Sequence, residues 1–201
     1  MAKNLSTAEP PLSTAQRIVS AAREALLESG FAALSTRSVA ERAAVPLSQI
    51  HYHFGSKEQL ILAMLRDEND ALVRRQAHMF ALDLPLAERW QLACDYLDDD
   101  LESGYVRVLQ EMMAAGWSSN EVRAAVGELL GRWTDVLTDV VEKGRAAGAD
   151  FGPFETGEIV ALVSCAFLGA ESMILLGLET DQLPIRGALQ RVGDALIAMD
   201  R

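Results

Sequence analysis

Helix-starting and helix-breaking residues divide this chain into short segments with helical apolar spacing, and this division is the strongest constraint on its fold. Ser13 with Gln16, and Ser56 with Gln59, have the spacing of capping boxes, in which each side chain bonds the backbone of the other residue. After each start, apolar residues recur every three or four positions, which is the period of a helix buried on one face. We find no run with the alternation of a strand, so the sequence predicts an all-α fold of about nine helices.

The same breaks predict how the chain is organised. Residues 1–12 are polar and contain two prolines, which predicts a flexible arm. Residues 13–56 hold three short helices, and 57–82 form one long connecting helix that ends before Asp83-Leu84-Pro85. The rest, 83–201, is predicted to be one helical domain, with helices at 85–103, 105–115, 119–147, 157–177 and 184–199.

The charge is distributed unevenly. With 18 Lys and Arg against 29 Asp and Glu, the formal net charge is −11, which by itself argues against a nucleic-acid partner. Residues 1–60, however, carry six bases and five acids, so that segment is +1 and residues 61–201 are −12. The two segments therefore need separate interpretation, and the overall charge excludes DNA binding only for the second.

Three features indicate a cytoplasmic protein with no membrane span. The two cysteines, Cys94 and Cys165, lie in apolar helical patterns without metal-ligand spacing, and no apolar signal segment follows Met1. Residues 159–178 are long and apolar enough to cross a bilayer, but Glu171 would be costly in lipid and no basic cluster flanks them. We therefore expect this helix to be buried in a bundle or at a subunit interface.

The second and third predicted helices, 36–43 and 47–53, form a helix-turn-helix across the turn Ala44-Val45-Pro46. In such a pair the second helix enters the major groove of DNA while the first lies across the backbone. The outward positions of the third helix carry small or polar groups that suit a groove, whereas Ile50 and Phe54, four residues apart, point into the core.

These residues resemble the TetR family of bacterial transcriptional regulators. The resemblance covers residues 13–66 and is carried by 36–45 (TRSVAERAAV) and 50–58 (IHYHFGSKE), with their spacing and flanking capping boxes. It implies a DNA-binding N-terminal domain and a divergent C-terminal domain that binds small ligands and dimerises. Two positions depart from the family pattern: Ala44 stands where the family has Gly, and His51 where it has a Tyr that reaches a phosphate.

Within this motif, each residue type indicates a mode of DNA contact. Ser48 and Gln49 are candidate base readers, since Gln can bond both N6 and N7 of adenine. Thr36, Arg37 and Lys57 lie in first helical turns, where phosphate binds well. The other candidates are Leu47, which contacts a thymine methyl or packs at the turn, His51, which contacts phosphate, and Tyr52 and His53, which contact phosphate or close the small core.

The acidic second segment is rich in aromatic residues and Met. A cavity that they surround would suit an apolar or aromatic ligand, and the alternative is a plain packed core. The candidate ligand contacts are Trp90, Leu97, Tyr105, Leu109, Met112, Met113, Trp117, Trp133 and Leu137. Glu111 and Glu171 interrupt apolar stretches. Three alternatives are open for each: it orients a cationic or hydroxylated ligand, it pairs with an Arg such as Arg107 or Arg123, or it lies on a solvated edge.

The last two helices are predicted to form the dimer. Helix 157–177 contains Gly169, Ala170 and Gly177, which permit close packing, and 184–199 offers an apolar face of Leu189, Val192, Leu196 and Ile197. Paired with those of a second copy they make a four-helix bundle; the alternative is burial within one subunit.

The functional hypothesis is a dimeric transcriptional regulator, a repressor that a small, mainly apolar ligand releases from a double-stranded DNA operator. The alternative is an acidic helical binding or interaction protein that has lost DNA recognition. We find no nucleophile–base pair, no phosphate loop and no metal-ligand spacing, since His51, His53 and His78 do not form a metal set. The sequence therefore predicts neither an enzyme nor a bound cofactor.

Overall fold

A computed structural model of the chain describes residues 12–82 and 84–197, with side chains described as far as Asp194. All nine elements in these ranges are helices, as predicted. They are α1 (Thr14–Ala33), α2 (Thr36–Arg42), α3 (Leu47–Phe54), α4 (Lys57–Phe80), α5 (Leu86–Ser103), α6 (Tyr105–Gly116), α7 (Asn120–Ala146), α8 (Thr156–Leu175) and α9 (Ile185–Ile197). Apart from Leu12, the predicted arm lies outside the described residues, as do Asp83 and the side chains of Leu196 and Ile197.

The predicted helix starts are formed by the expected bonds. At the start of α1 the Ser13 hydroxyl accepts from the Gln16 amide at 3.2 Å, and the Gln16 side chain accepts from the Ser13 amide at 2.8 Å. At the start of α4 the Ser56 hydroxyl accepts from the Gln59 amide at 3.1 Å. Gly30 has φ 77° and kinks α1 three residues before its last residue. These local signals therefore set the helix boundaries.

The described residues form two compact units, one up to Met64 and one from Leu65 onward, and the division falls inside α4. In the first unit, α1, α2 and α3 pack on one another around fully buried Ile18, Leu26, Val39 and Ile50. Each comes from an apolar position at helical spacing, so the small core follows from the sequence pattern. This core fixes the angle between α2 and α3.

The turn between α2 and α3 contains a strained residue. Ala44 has φ 52°, the left-handed region that favours glycine, and it is the one non-glycine residue in the described ranges with a positive φ. The turn is closed by the amide of Val45, which donates to the carbonyl of Ala40 at 3.0 Å. Pro46 precedes α3 as its N-cap. Alanine thus adopts the conformation that this turn requires, at some cost in free energy.

Ala44→Gly is therefore expected to stabilise the chain. Relief of the left-handed alanine gains about 1–2 kcal/mol, and the extra freedom of glycine in the unfolded chain offsets about 0.5–1 kcal/mol of it. The control is Ala124→Gly at an exposed position within α7, which should lose stability. Urea denaturation of the full chain measures both variants, and a loss of stability in Ala44→Gly would contradict the strain.

In the second unit, α5 packs along α9, α6 along α7 and α7 along α8. The contact between α5 and α9 is close: the indole N–H of Trp90 donates to the carbonyl of Leu189 at 2.7 Å, and a Cβ on Gly193 would lie 2.6 Å from the Gln91 side chain. A larger residue at Gly193 would therefore push the Gln91 amide aside. These contacts set one wall of the cavity described below.

One helix among the described residues, α8, is long and apolar enough by composition to cross a membrane. Only 17% of its most apolar stretch is buried in the chain. Burial within the subunit, one of the two predicted alternatives, is therefore wrong for most of this helix, because Ala161, Leu162, Cys165 and Ala166 are exposed. An apolar face of this size indicates a surface that another molecule covers.

Candidate DNA interface and ligand cavity

The third helix presents the predicted set of side chains to solvent. Leu47 and Tyr52 are 39% and 81% exposed, and Ser48, His51 and His53 are also exposed, while Gln49 is half-buried. Ile50, on the opposite side, is fully buried, as predicted, and Phe54 is half-buried. A helix of eight residues with one buried and one open face has the dimensions that a major groove accepts. Tyr52 is therefore available for contact and does not close the core.

The cations near this helix differ in how they are held. Arg37, in the first turn of α2, is exposed and makes only a surface ion pair with Glu41 at 3.3 Å. Thr36 beside it is half-buried. The Lys57 ammonium donates to the carbonyl of Phe31 at 3.1 Å and lies 4.1 Å from the centre of the Phe31 ring. Lys57 therefore has a structural role that the sequence interpretation did not include, with donors left for a phosphate.

Two further polar side chains of the first unit, Arg42 and His51, bond to neighbouring groups of the chain. Arg42 makes two bonds to Glu28, at 2.7 and 2.5 Å, and is therefore held in a surface ion pair. The pKa of Glu28 is lowered by its hydrogen bond to Arg42. The Nδ1 atom of His51 lies 3.1 Å from the carbonyl oxygen of Gly55 at the end of α3. This bond orients the imidazole, which leaves Nε2 as the atom available to DNA.

The second unit contains a cavity of about 340 Å³. Six of the nine predicted ligand contacts line it: Trp90, Leu97, Tyr105, Leu109, Trp133 and Leu137. Phe167 joins the two tryptophans into one aromatic wall, with its ring centre 5.5 Å from that of Trp90 and 6.3 Å from that of Trp133. The interior is therefore open at the centre of the predicted aromatic group, and a plain packed core does not describe it.

Three of the predicted contacts do not line the cavity. Met112 is fully buried elsewhere, Met113 is half-buried, and Trp117 is 81% exposed. The expectation that all three face this interior is wrong. For Trp117 the reason is that α6 ends at Gly116, so Trp117 leaves the helix as its C-cap and its side chain faces solvent. Met112 and Met113 lie within α6 but are not among the residues that line the cavity. The arginine named as a partner for an acid, Arg123, instead bonds the carbonyls of Gly116 and Trp117.

Several residues that line the cavity were not identified from the sequence, and most of them lie outside the aromatic and Met stretch. These are chiefly Phe80, Phe151, Phe154, Leu162 and Phe167, together with the polar residues Asn69, Gln76, Arg89 and Asp100. A signal existed for Asn69, because it occupies the apolar spacing of Leu62, Leu65 and Leu72 in α4. A polar residue on a buried helical face is a candidate for a functional contact.

Polar groups collect at one end of the cavity. Asn69 is 3% exposed, and its amide nitrogen donates to the Tyr105 hydroxyl at 2.9 Å. Asp100 accepts from Arg75 at 2.6 Å, and Glu171 accepts from the amide of Gln110 at 3.3 Å. Glu171 therefore lies in the interior, whereas Glu111 pairs with Arg107 at 3.2 Å, which was the alternative for Glu111.

The electrostatics of this end follow from burial. Desolvation raises the pKa of the Glu171 carboxyl to about 7, against a lowering by the Gln110 hydrogen bond and with a further rise from Asp100. Burial also raises the pKa of Asp100, which the Arg75 hydrogen bond opposes, and raises the pKa of Tyr105 to about 12. Near neutral pH, Glu171 is therefore a mixture of acid and carboxylate.

Glu171→Gln is expected to stabilise the chain increasingly as pH rises. The folded state holds Glu171 with a pKa above its ordinary value of 4.5, so its favourable contribution is complete below that value and is lost as pH rises to about 7. The gain of the variant should be small at pH 5 and reach up to about 3 kcal/mol at pH 8. Urea denaturation at the two pH values measures it, with exposed Glu128→Gln as the control, and an equal gain at both would contradict the burial cost.

The chain resembles known proteins in both sequence and fold. Residues 18–64 match the family model of bacterial regulatory proteins, tetR family. The HTH-type transcriptional regulator UidR of Escherichia coli is 30% identical over 131 residues, which are 62% of this chain and 61% of UidR. The chain thus spans less than two thirds of the length of that relative.

Two solved structures share the fold. FadR from Bacillus subtilis in complex with stearoyl-CoA has a TM-score of 0.73 at 14% identity, covering 88% of this chain and 96% of that one. A regulator from Saccharomonospora viridis in complex with choline has a TM-score of 0.72 at 17% identity, covering 92% and 95%. Both likenesses concern the fold alone. They confirm the expected all-α fold, and the match of residues 18–64 to the tetR family model agrees with the resemblance found in the sequence.

Proposed function

We propose that this chain is a dimeric transcriptional regulator that binds an operator through α3 and is released from it, as a repressor, by a small ligand in the cavity. The observation that carries the proposal is the short α3, buried on the side of Ile50 and open on the side of Ser48 and Tyr52. The relatives and structural neighbours are regulators of transcription, which supports this class of activity over catalysis.

Base reading rests on the first turns of α3. Ser48 and Gln49 lie at the helix start, where side chains of a recognition helix meet base edges, and Leu47 offers an apolar contact to a thymine methyl. Arg37, Thr36 and Lys57 would contact phosphates and fix the register, with His51, Tyr52 and His53 along the exposed face. Only a few cations serve this contact, because the chain elsewhere is strongly acidic.

Gln49→Ala tests the base reading. An operator is first obtained by selection from random duplex DNA, and affinity is then followed by fluorescence anisotropy at fixed salt. The variant should lose about 1–3 kcal/mol on the selected sequence and little on random DNA, because only the bidentate contact is removed. Exposed Gln182→Ala, in the loop before α9, is the matched control.

The contrary result identifies the alternative function. If the folded chain enriches no sequence at low salt, or if Gln49→Ala binds the selected operator as the unaltered chain does, the chain does not read DNA through α3. It would then be an acidic, ligand-binding helical protein without DNA recognition.

The proposed dimer uses α8 and α9. Leu162 is 57% exposed, and Leu176 and Leu183, in the loop between the two helices, are 73% and 45% exposed. A shallow apolar groove of about 450 Å³ runs between the helices along Gly169, Ala170 and Leu189. A second copy would cover this face and give the dimer two recognition helices, for operator half-sites about 34–36 Å apart, one DNA turn.

Ala166→Arg is expected to separate the dimer. Ala166 is exposed in the middle of α8 and lines the groove, so an arginine there would place an unpaired charge inside the interface. The control is Ala124→Arg at an exposed position of α7, which should leave the mass unchanged. Sedimentation equilibrium measures both. A monomeric parent chain, or a dimer that survives Ala166→Arg, would exclude this face as the interface.

The ligand site is the cavity of the second unit. Its aromatic wall favours an apolar or aromatic molecule. The structural neighbours carry ligands as different as stearoyl-CoA and choline, so likeness of fold does not select the ligand class. Because α4 lines the cavity with Asn69 and Gln76 and is continuous back to Lys57, we propose that the ligand acts on the DNA-binding unit through this helix.

A further inference from the structure

We propose that the cavity selects a molecule with an apolar body and a protonated amine, which is held at the end formed by Asn69, Asp100 and Glu171. This inference deepens the proposed function, on which it rests, by naming the charge of the ligand. It starts from the hydrogen-bonding capacity of the groups at that end.

The first observation is an unpartnered buried acceptor. The amide nitrogen of Asn69 is used by the Tyr105 hydroxyl, and its carbonyl oxygen, buried with the residue at 3% exposure, has no hydrogen bond. The side-chain oxygen of Gln76, two turns further along α4, is likewise buried without a partner. Leaving such an acceptor unbonded costs free energy, so these oxygens favour a ligand that donates hydrogen bonds.

The second observation is the excess of negative charge at the same end. Asp100 and Glu171 both line the cavity, while one cation, Arg75, bonds Asp100. With both carboxylates ionised, these three groups leave one negative charge uncompensated in an apolar surrounding. A protonated amine would neutralise the excess negative charge. It would also donate hydrogen bonds to the unbonded oxygens, since an ammonium has donors and no acceptor.

The opposite end of the cavity supplies the competing interpretation. Arg89 lines it, and its buried Nε has no hydrogen-bond partner, although an Nη atom donates to the carbonyl of Leu82 at 3.0 Å. Eleven residues separate Arg89 from Asp100 along α5, about 16 Å at 1.5 Å per residue. Arg89 therefore does not neutralise the acidic end, and an anionic ligand held by Arg89 would be the alternative occupant.

The proton on Glu171 provides an independent readout. The charged groups around Glu171 are Asp100 on α5, with Arg75 of α4 bonded to it, and on α6 the Tyr105 hydroxyl, whose own pKa is also affected by Glu68. A bound ammonium favours the carboxylate, so at acid pH binding must release the Glu171 proton to solvent. Affinity for an amine should therefore increase as pH rises from 6 to 8.

The experiment compares three probes of equal chain length, namely decylammonium, decanol and decanoate, by isothermal titration calorimetry on the full chain without DNA. At pH 8, decylammonium should bind at least about tenfold more tightly than decanoate. In Glu171→Gln the affinity for decylammonium should fall about tenfold or more and should no longer depend on pH. The affinity for decanol should change less than about threefold. Exposed Glu128→Gln should leave all three affinities unchanged.

Two results would overturn the proposal. One is decanoate binding as tightly as decylammonium or more tightly, which would assign the site to Arg89. The other is an unchanged decylammonium affinity in Glu171→Gln. Because DNA is absent, neither result depends on operator binding. A chain that binds decylammonium as expected but enriches no DNA sequence would contradict the regulator and keep the ligand assignment.

Discussion

Polar bonds made by α4 fix the distances between the helices that surround the cavity. Asn69 bonds Tyr105 of α6, Asp70 pairs with Arg132 of α7, and Arg75 bonds Asp100 of α5. Apolar packing is not directional and favours collapse onto any empty volume, whereas these bonds fix distances between three pairs of helices. Removing one partner of the Asn69–Tyr105 or Arg75–Asp100 bond would leave the other unpaired in a region shielded from water, whereas the exposed Asp70–Arg132 pair contributes less. The two shielded bonds therefore help to set the spacing of the helices around the open interior.

The sequence predicted the first unit well because its signals are local. The Ser13 and Ser56 caps and the turn before Pro46 each lie within a few residues of the structure that they produce. The small core follows from apolar spacing in three short helices. The bond from Lys57 to the carbonyl of Phe31 was not predicted, because 26 residues separate the two and no local pattern joins them.

The cavity was predicted only in part, for the same reason. Trp90 and Trp133 could be assigned to one interior by helical spacing, but Trp117 could not be separated from them before the end of α6 was known. Glu171 was visible as the single charge in residues 159–178, whereas its neighbour Asp100 stands among several other acids of α5 and has no such local signal. Asp100 and Glu171 come together only through tertiary packing, since α5 and α8 are distant in sequence.

The overall charge of −11 therefore has two physical meanings. Most acids of the second segment lie on its surface, where they repel DNA and would confine any contact to the nearly neutral first segment. Asp100 and Glu171 differ because they are shielded from water, so their charge acts on whatever enters the cavity. A proton and a cation then compete for Glu171, and whichever binds relieves the cost of the buried carboxylate. The same acidity that excludes DNA from the surface would select a cation inside.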